Sequence, residues 1–161
     1  MPLDSTQLAE LIASQGAVLR LWASSRCAAC DDVVQEAFCR LAREEPPPAR
    51  PVAWLYTVCR NLAEKQRLAD QRRRRREETQ ARREATQSSA VDPLELAETL
   101  VAVQSLDPEL REVLVARIWG QLSLEEVGRL CGLSTATAHR RYQSALATLR
   151  TMLAPPCEKQ R

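Results

Sequence analysis

Aromatic residues and glycines are scarce in this chain. Of its 161 residues, 4% are aromatic and four are glycine. β-Sandwiches, β-barrels and nucleotide-binding βαβ units need more of both, so the composition disfavours all three. Hydrophobic residues make up 45% of the chain, which is enough to build helical cores. We therefore predict an all-α protein made of two small helical domains, since a chain of this length can hold one ordinary domain or two very small ones.

Long hydrophobic runs are missing as well. Charged residues interrupt each apolar stretch before it reaches the roughly 18–20 residues that a membrane span requires. The N-terminus also lacks the basic region and apolar core of a signal peptide. We expect a cytoplasmic protein without membrane insertion, in which the six cysteines are reduced thiols.

The chain has few of the groups that enzymes use. It contains one histidine, no glycine-rich phosphate loop and no paired carboxylates isolated in an apolar setting. We therefore predict no catalytic activity, no cofactor and no metal.

Charge is unevenly distributed, although the formal net charge is only +2. Residues 59–76 carry eight basic and two acidic side chains. Residues 77–92 contain only alanine and valine as apolar types and show no helical period, which is typical of a flexible linker. This pattern predicts a first domain over residues 1–76, a linker over 77–92, a second domain over 93–154 and a tail over 155–161.

Three helices are predicted in the first domain. Apolar residues recur at helical spacing as far as Leu41, and the prolines at 46–48 end the second helix. The third helix begins near Pro51 and continues into the arginine run at 72–76. Cations beside Trp54 and Tyr56 favour binding of phosphates and unstacked bases. Alternatively, the arginines form a solvated helix end and the two aromatic rings belong to the core.

The second domain has the pattern of a helix-turn-helix. Pro108 opens a helix capped by Asp107, Ser123 and Glu126 form a capping box, and Gly132 permits a tight turn before the last helix. Its predicted core consists of Val127, Leu130, Leu133, Ala138, Ala145 and Leu149, packed against Val113, Leu114 and Ile118. The opposite face of the last helix carries Thr135, Ala136, His139, Arg140 and Gln143. Such a face suits DNA reading, but a solvated helical hairpin would show it too.

Three runs of sequence together carry a family resemblance. They are DDVVQEAFCRLAR, PVAWLYTVCRNLAEKQR and LREVLVARIWGQLSLEEVGRLCGLSTATAHRRYQSALATLR. In this order and spacing they resemble an extracytoplasmic-function (ECF) sigma factor of bacterial RNA polymerase, in the sigma-70 family. The resemblance implies a subunit that directs core polymerase to promoters and initiates transcription, with core RNA polymerase, promoter DNA and an anti-sigma factor as partners.

The resemblance also implies roles for individual residues. Those on the helix that docks on the clamp coiled coil of the largest polymerase subunit are Asp32, Gln35, Glu36 and Phe38. Those that act at the promoter element near minus ten are Arg60, Asn61, Arg67, Arg72 and Arg73. Lys65 stands where many family members carry an acidic residue, and we expect it to contact DNA at the same element. The helix from Thr135 to Gln143 reads the element near minus thirty-five, with Arg141 as a phosphate contact. The family usually has alanine where Gly128 stands, and we expect that exchange to be tolerated because both residues are small.

Two other functions remain open from the residues alone. The first is a stand-alone helix-turn-helix regulator, which would be expected to carry a dimerisation helix or a ligand domain. The second is a thiol or metal sensor that uses Cys27 and Cys30, since two thiols at this spacing can ligate zinc or form a redox pair. The remaining cysteines and the histidine do not form a second ligand pair in the sequence.

Overall fold

The computed structural model describes residues 4–77 and 97–153, and every regular element in these two ranges is an α-helix. The helices are α1 (Ser5–Ala23), α2 (Cys30–Arg43), α3 (Pro51–Glu77), α4 (Ala97–Gln104), α5 (Pro108–Ile118), α6 (Leu124–Cys131) and α7 (Thr135–Leu153). They form two compact units, with α1 to α3 in the first and α4 to α7 in the second. The predicted all-α, two-domain class is confirmed.

The exact domain limits remain predictions. Most of the proposed linker, the first residues of the second domain and the tail lie outside the described ranges. Among the helices that are described, none is long and apolar enough to cross a membrane.

An aromatic pair lies at the centre of the first unit. The ring centroids of Trp22 and Tyr56 are 5.6 Å apart in an edge-to-face arrangement, and both side chains are fully buried. Leu19, Leu41 and Leu55 are fully buried in the same unit. Tyr56 is therefore a core residue and is not available to stack on a base, whereas Trp54 is half-buried.

Helix α5 forms the centre of the second unit. Its residues Val113, Leu114, Val115 and Ala116 are all fully buried. Because these four residues point in four directions around the helix axis, α5 is enclosed on all sides by its neighbours. The predicted core residues Val127, Leu130, Ala138 and Ala145 are also buried.

Among the other predicted core positions of the second unit, Leu133 and Leu149 are only half-buried, and Ile118 is wrong. Ile118 is 43% exposed, because it is the last residue of α5 and extends beyond the enclosed part of that helix.

The turn between α6 and α7 follows the predicted signals. The Ser123 hydroxyl accepts a hydrogen bond from the Glu126 amide at 3.2 Å, and the Ser123 amide donates to the Glu126 carboxylate at 2.7 Å. Gly132 has a φ of 70°, the left-handed conformation that favours glycine. The Thr137 amide then donates to the Ser134 hydroxyl at 3.1 Å and caps the start of α7.

Gly128 corrects a second expectation. A Cβ atom added there would lie 2.8 Å from the backbone carbonyl oxygen of Leu133. The turn folds back so closely that the Leu133 amide also donates to the Gly128 carbonyl at 2.7 Å. Because the obstructing atom belongs to the backbone, alanine at this position requires a shift of the turn, and the expected tolerance is wrong.

Candidate nucleic-acid interfaces and docking helix

Helix α7 presents the expected polar face. The exposed residues on it are Thr135, Ala136, His139, Arg140 and Gln143. The Arg140 guanidinium donates to the Thr137 hydroxyl at 3.4 Å, a length that leaves it easy to redirect toward another acceptor. The face therefore offers a cation, an imidazole and an amide within the first turns of a capped helix, where backbone amides also attract phosphate.

Arg141 is held differently from its neighbours on α7. Its guanidinium lies 2.6 Å from the carboxylate of Glu109 on α5, and its side chain is 27% exposed against 70% for Glu109. No local sequence pattern indicates this pair, because the two residues are far apart along the chain. Arg141 is therefore oriented by α5, with part of its side chain still open to solvent.

The candidate residues on α3 form an exposed stripe. Asn61, Lys65 and Arg72 are exposed and recur at intervals that bring them to one side of an α-helix. Leu68 falls on the same side and is 40% exposed. The resemblance did not mark Leu68, although its spacing from Asn61 and Lys65 could have indicated it. We call these four residues the α3 stripe.

Two other basic candidates lie off this stripe. Arg60 is half-buried, and Arg67 is engaged with Glu64 through hydrogen bonds of 2.7 and 3.1 Å. The hydrogen bond from Arg67 lowers the pKa of the Glu64 carboxyl, so the two remain a charged pair at neutral pH. Part of the positive charge of Arg67 is thus compensated within α3.

The last turns of α3 consist largely of consecutive arginines. The exposed ones are Arg72, Arg73, Arg74 and Arg75. Successive residues of an α-helix differ by about 100° in direction, so these side chains point to all sides of the helix.

Helix α2 separates an exposed polar face from a buried apolar face. Asp32, Gln35 and Glu36 are exposed, and we call them the α2 docking face. Phe38 is only 7% exposed, because it lies on the buried side with Val33, Val34, Ala37 and Leu41. Of the four residues that the resemblance places on the docking helix, Phe38 is therefore the one that faces the core. Glu36 is also paired with Arg40 one turn later, at 2.8 Å.

Three thiols of the first unit, those of Cys27, Cys30 and Cys59, have raised pKa values. Burial, followed by the neighbouring Cys30 and Asp70, raises the pKa of Cys27 from 9.0 to about 11. Burial also raises the pKa of Cys30, and that of Cys59 to about 12. Protonated thiols are weak nucleophiles and weak metal ligands. Over residues 4–77 and 97–153, moreover, three or more His, Cys, Asp or Glu side chains do not come together in a metal-binding group.

Comparison with known proteins identifies the family. Residues 102–151 match the model of sigma-70 region 4, which covers most of α4 to α7. Over 131 residues the chain is 31% identical to the ECF RNA polymerase sigma factor EcfG of Rhodopseudomonas palustris, covering 76% of this chain and 70% of that protein. The chain belongs to the ECF sigma factor family. The predicted function as an RNA polymerase sigma factor is thereby confirmed, and neither alternative function gains support.

A second curated protein and one solved structure are also similar to this ECF sigma factor. RNA polymerase sigma factor CarQ of Myxococcus xanthus is 33% identical over 135 residues, covering 78% of this chain and 75% of that protein. The sigma factor RpoE of Bartonella quintana, solved in complex with the anti-sigma factor NepR, has a similar fold with a TM-score of 0.55. It is 22% identical, and the match covers 90% of this chain and 94% of that one.

Proposed function

We propose that the two units of this ECF sigma factor divide promoter recognition between them. The first unit docks on core polymerase through α2 and acts on the element near minus ten through α3. The second unit reads the duplex near minus thirty-five through α7. The observation that carries this proposal is the capped, exposed polar face of α7, which lies within the residues that match sigma-70 region 4.

In the second unit, we assign base reading to Arg140 and Gln143. Arginine can donate two hydrogen bonds to guanine and glutamine can pair with adenine in the major groove. Arg141 contacts phosphate instead, because its contact with Glu109 leaves only part of the guanidinium open. Thr135, Ala136 and His139 complete the surface that faces the groove.

In the first unit, the α3 stripe meets the strands as they separate. The Asn61 amide pairs with a base edge, and Lys65 and Arg72 hold the phosphate backbone. Since Tyr56 is buried, its ring does not take part in base capture. Leu68 gives this surface an apolar patch against which a base can rest. Arg60, Arg67 and Arg73 add positive charge around it.

The α2 docking face gives the sigma factor its place on polymerase. Two carboxylates beside an amide suit a basic partner helix such as the clamp coiled coil. Core polymerase supplies the chemistry, so we propose no catalytic activity for this chain, and the cytoplasm as its compartment. The fold likeness to RpoE, which was solved with NepR, supports an anti-sigma factor as a further partner.

Purified core polymerase tests the proposal directly. We expect the protein to be retained by core polymerase and to produce run-off transcripts from a subset of a promoter-fragment pool. Specific DNA binding without polymerase association would instead indicate an independent regulator. Core polymerase without this protein is the matched control, and it should give no promoter-selective transcript.

A further inference from the structure

An apolar groove runs between α1 and α2 of the first unit. It has a volume of about 410 Å³. Its apolar lining consists of Leu8, Ile12, Gly16, Val34, Phe38 and Ala42. On α1, Leu8, Ile12, Gly16 and Arg20 follow at four-residue intervals, so the groove extends along one face of that helix. Arg20, at the end of this series, is ion-paired with Asp31 of α2 at 3.7 Å.

The groove contains unfilled space next to Gly16, which lines it. A Cβ atom added there would have nothing within 4 Å. Glycine in the interior of a helix lowers its stability relative to alanine, and neither backbone conformation nor close packing within the chain requires glycine at this position. Ile12, one turn away, leaves 47% of its surface exposed beside the unfilled space. The folded chain therefore maintains a recess that it does not fill.

The groove is continuous with the α2 docking face. Gln35 belongs to both, because it lines the groove and is exposed beside Glu36. A partner helix that lies on Asp32, Gln35 and Glu36 thus reaches the edge of the groove. The acidic residues of this surface favour a partner with basic side chains, while the lining favours an apolar one. Buried anchors that enter such pockets contribute most of the affinity of many interfaces.

We propose that the recess over Gly16 receives an apolar side chain of the basic polymerase helix that docks on α2. This inference rests on the proposed docking of α2 on core polymerase. It adds α1 to the interface and assigns Gly16 and Ile12 to partner binding. Phe38 contributes to the same interface as part of the groove lining, although most of its side chain is buried.

The Gly16→Leu variant tests the proposal by filling the recess. We expect its affinity for core polymerase, measured by fluorescence anisotropy of the labelled protein, to fall at least tenfold. The matched control is Ala13→Leu, which adds a leucine to an exposed position of α1 outside the groove and should bind within twofold of wild type. Far-UV circular dichroism should be the same for all three proteins.

A second variant keeps the test valid if Gly16→Leu does not fold. Ile12→Ser removes an apolar wall of the groove at a half-exposed position and should weaken polymerase binding at least fivefold. Wild-type affinity in every variant that folds would overturn the proposal. The same result accompanied by altered self-association in sedimentation would assign the groove to a second copy of the chain.

Glu36→Lys separates this proposal from the docking function on which it rests. If Glu36→Lys weakens polymerase binding and the groove variants do not, α2 docks without the groove and only the present inference fails. If wild-type protein does not bind core polymerase, the docking function fails and the groove proposal fails with it. Weakening by both kinds of variant supports both.

Discussion

The Arg141 guanidinium of α7 lies 2.6 Å from the Glu109 carboxylate, which connects the candidate recognition helix to the first turn of α5. Arginine holds carboxylates with a planar fork of donors, so this contact orients the side chain as well as stabilising it. Exposed ion pairs contribute only about 0–1 kcal/mol, and Glu109 is 70% exposed. If Arg141 contacts phosphate, as we propose, the main effect of the pair is on DNA binding.

Replacing Glu109 by glutamine should strengthen DNA binding uniformly. Glu109→Gln removes a carboxylate that repels phosphate and leaves the charge of Arg141 uncompensated. We expect a similar increase in affinity on all duplex sequences and a salt dependence steeper by about one unit of slope. Fluorescence anisotropy at several salt concentrations measures both. A loss of affinity would mean that Glu109 acts mainly by holding Arg141 in place.

Replacing Arg140 by alanine should change sequence preference. If Arg140 reads a base edge, as we propose, Arg140→Ala costs about 1–3 kcal/mol of binding and relaxes specificity at one base pair. Binding to a set of singly substituted promoter fragments measures this directly. Arg150→Ala, an exposed arginine near the other end of α7, is the control and should leave the preference unchanged. Equal weakening on every fragment would assign Arg140 to phosphate.

Two glycine-to-alanine exchanges should have opposite effects on stability. Gly128→Ala forces a Cβ against the Leu133 carbonyl oxygen and should lower the free energy of unfolding by about 1–3 kcal/mol, a typical cost of overpacking. Gly16→Ala meets open space in a helix interior and should raise it by about 0.5–1 kcal/mol. Urea denaturation followed by circular dichroism compares the two. A stabilised Gly128→Ala protein would contradict the tight turn.

Stability should fall above pH 9 because two thiols have raised pKa values in the folded protein. The pKa of Cys27 is about 11 and that of Cys59 about 12 in the folded protein, against an ordinary 9.0. The unfolded chain therefore loses these protons first, and the free energy of unfolding decreases as pH rises from 9 toward 12. Below pH 9 the two thiols add no pH dependence. Urea midpoints under reducing conditions test this, and Cys27→Ser should show a smaller decrease.

Much of the second unit could be predicted from short-range signals. The capping box of Ser123 and Glu126 and the turn glycine Gly132 depend on residues a few positions apart, so the sequence displays them directly. The tight fit at Gly128 could not be predicted in this way. The sequence shows that the residue is small, but it does not show how close the Leu133 carbonyl oxygen lies. The contact between Arg141 and Glu109 likewise depends on how α5 and α7 pack.

The candidate sites show the same difference between local and long-range information. The family motif assigns docking to α2 and marks Phe38 together with Asp32 and Glu36, although only the last two are exposed. Only the helical spacing of Phe38 with Val34 and Leu41 indicates that it faces the core. The open space over Gly16 is a property of two helices together, and neither helix shows it alone.

The enclosure of α5 determines how the second unit can move. Since Val113, Leu114, Val115 and Ala116 are fully buried, we expect their backbone amides to exchange with solvent only when the unit opens. Both α6 and α7 pack on α5, so α7 cannot leave its place without exposing that buried turn. The amides of α5 should therefore be the slowest of the second unit to exchange in deuterated water. We expect α7 to bind DNA without separating from the rest of the unit.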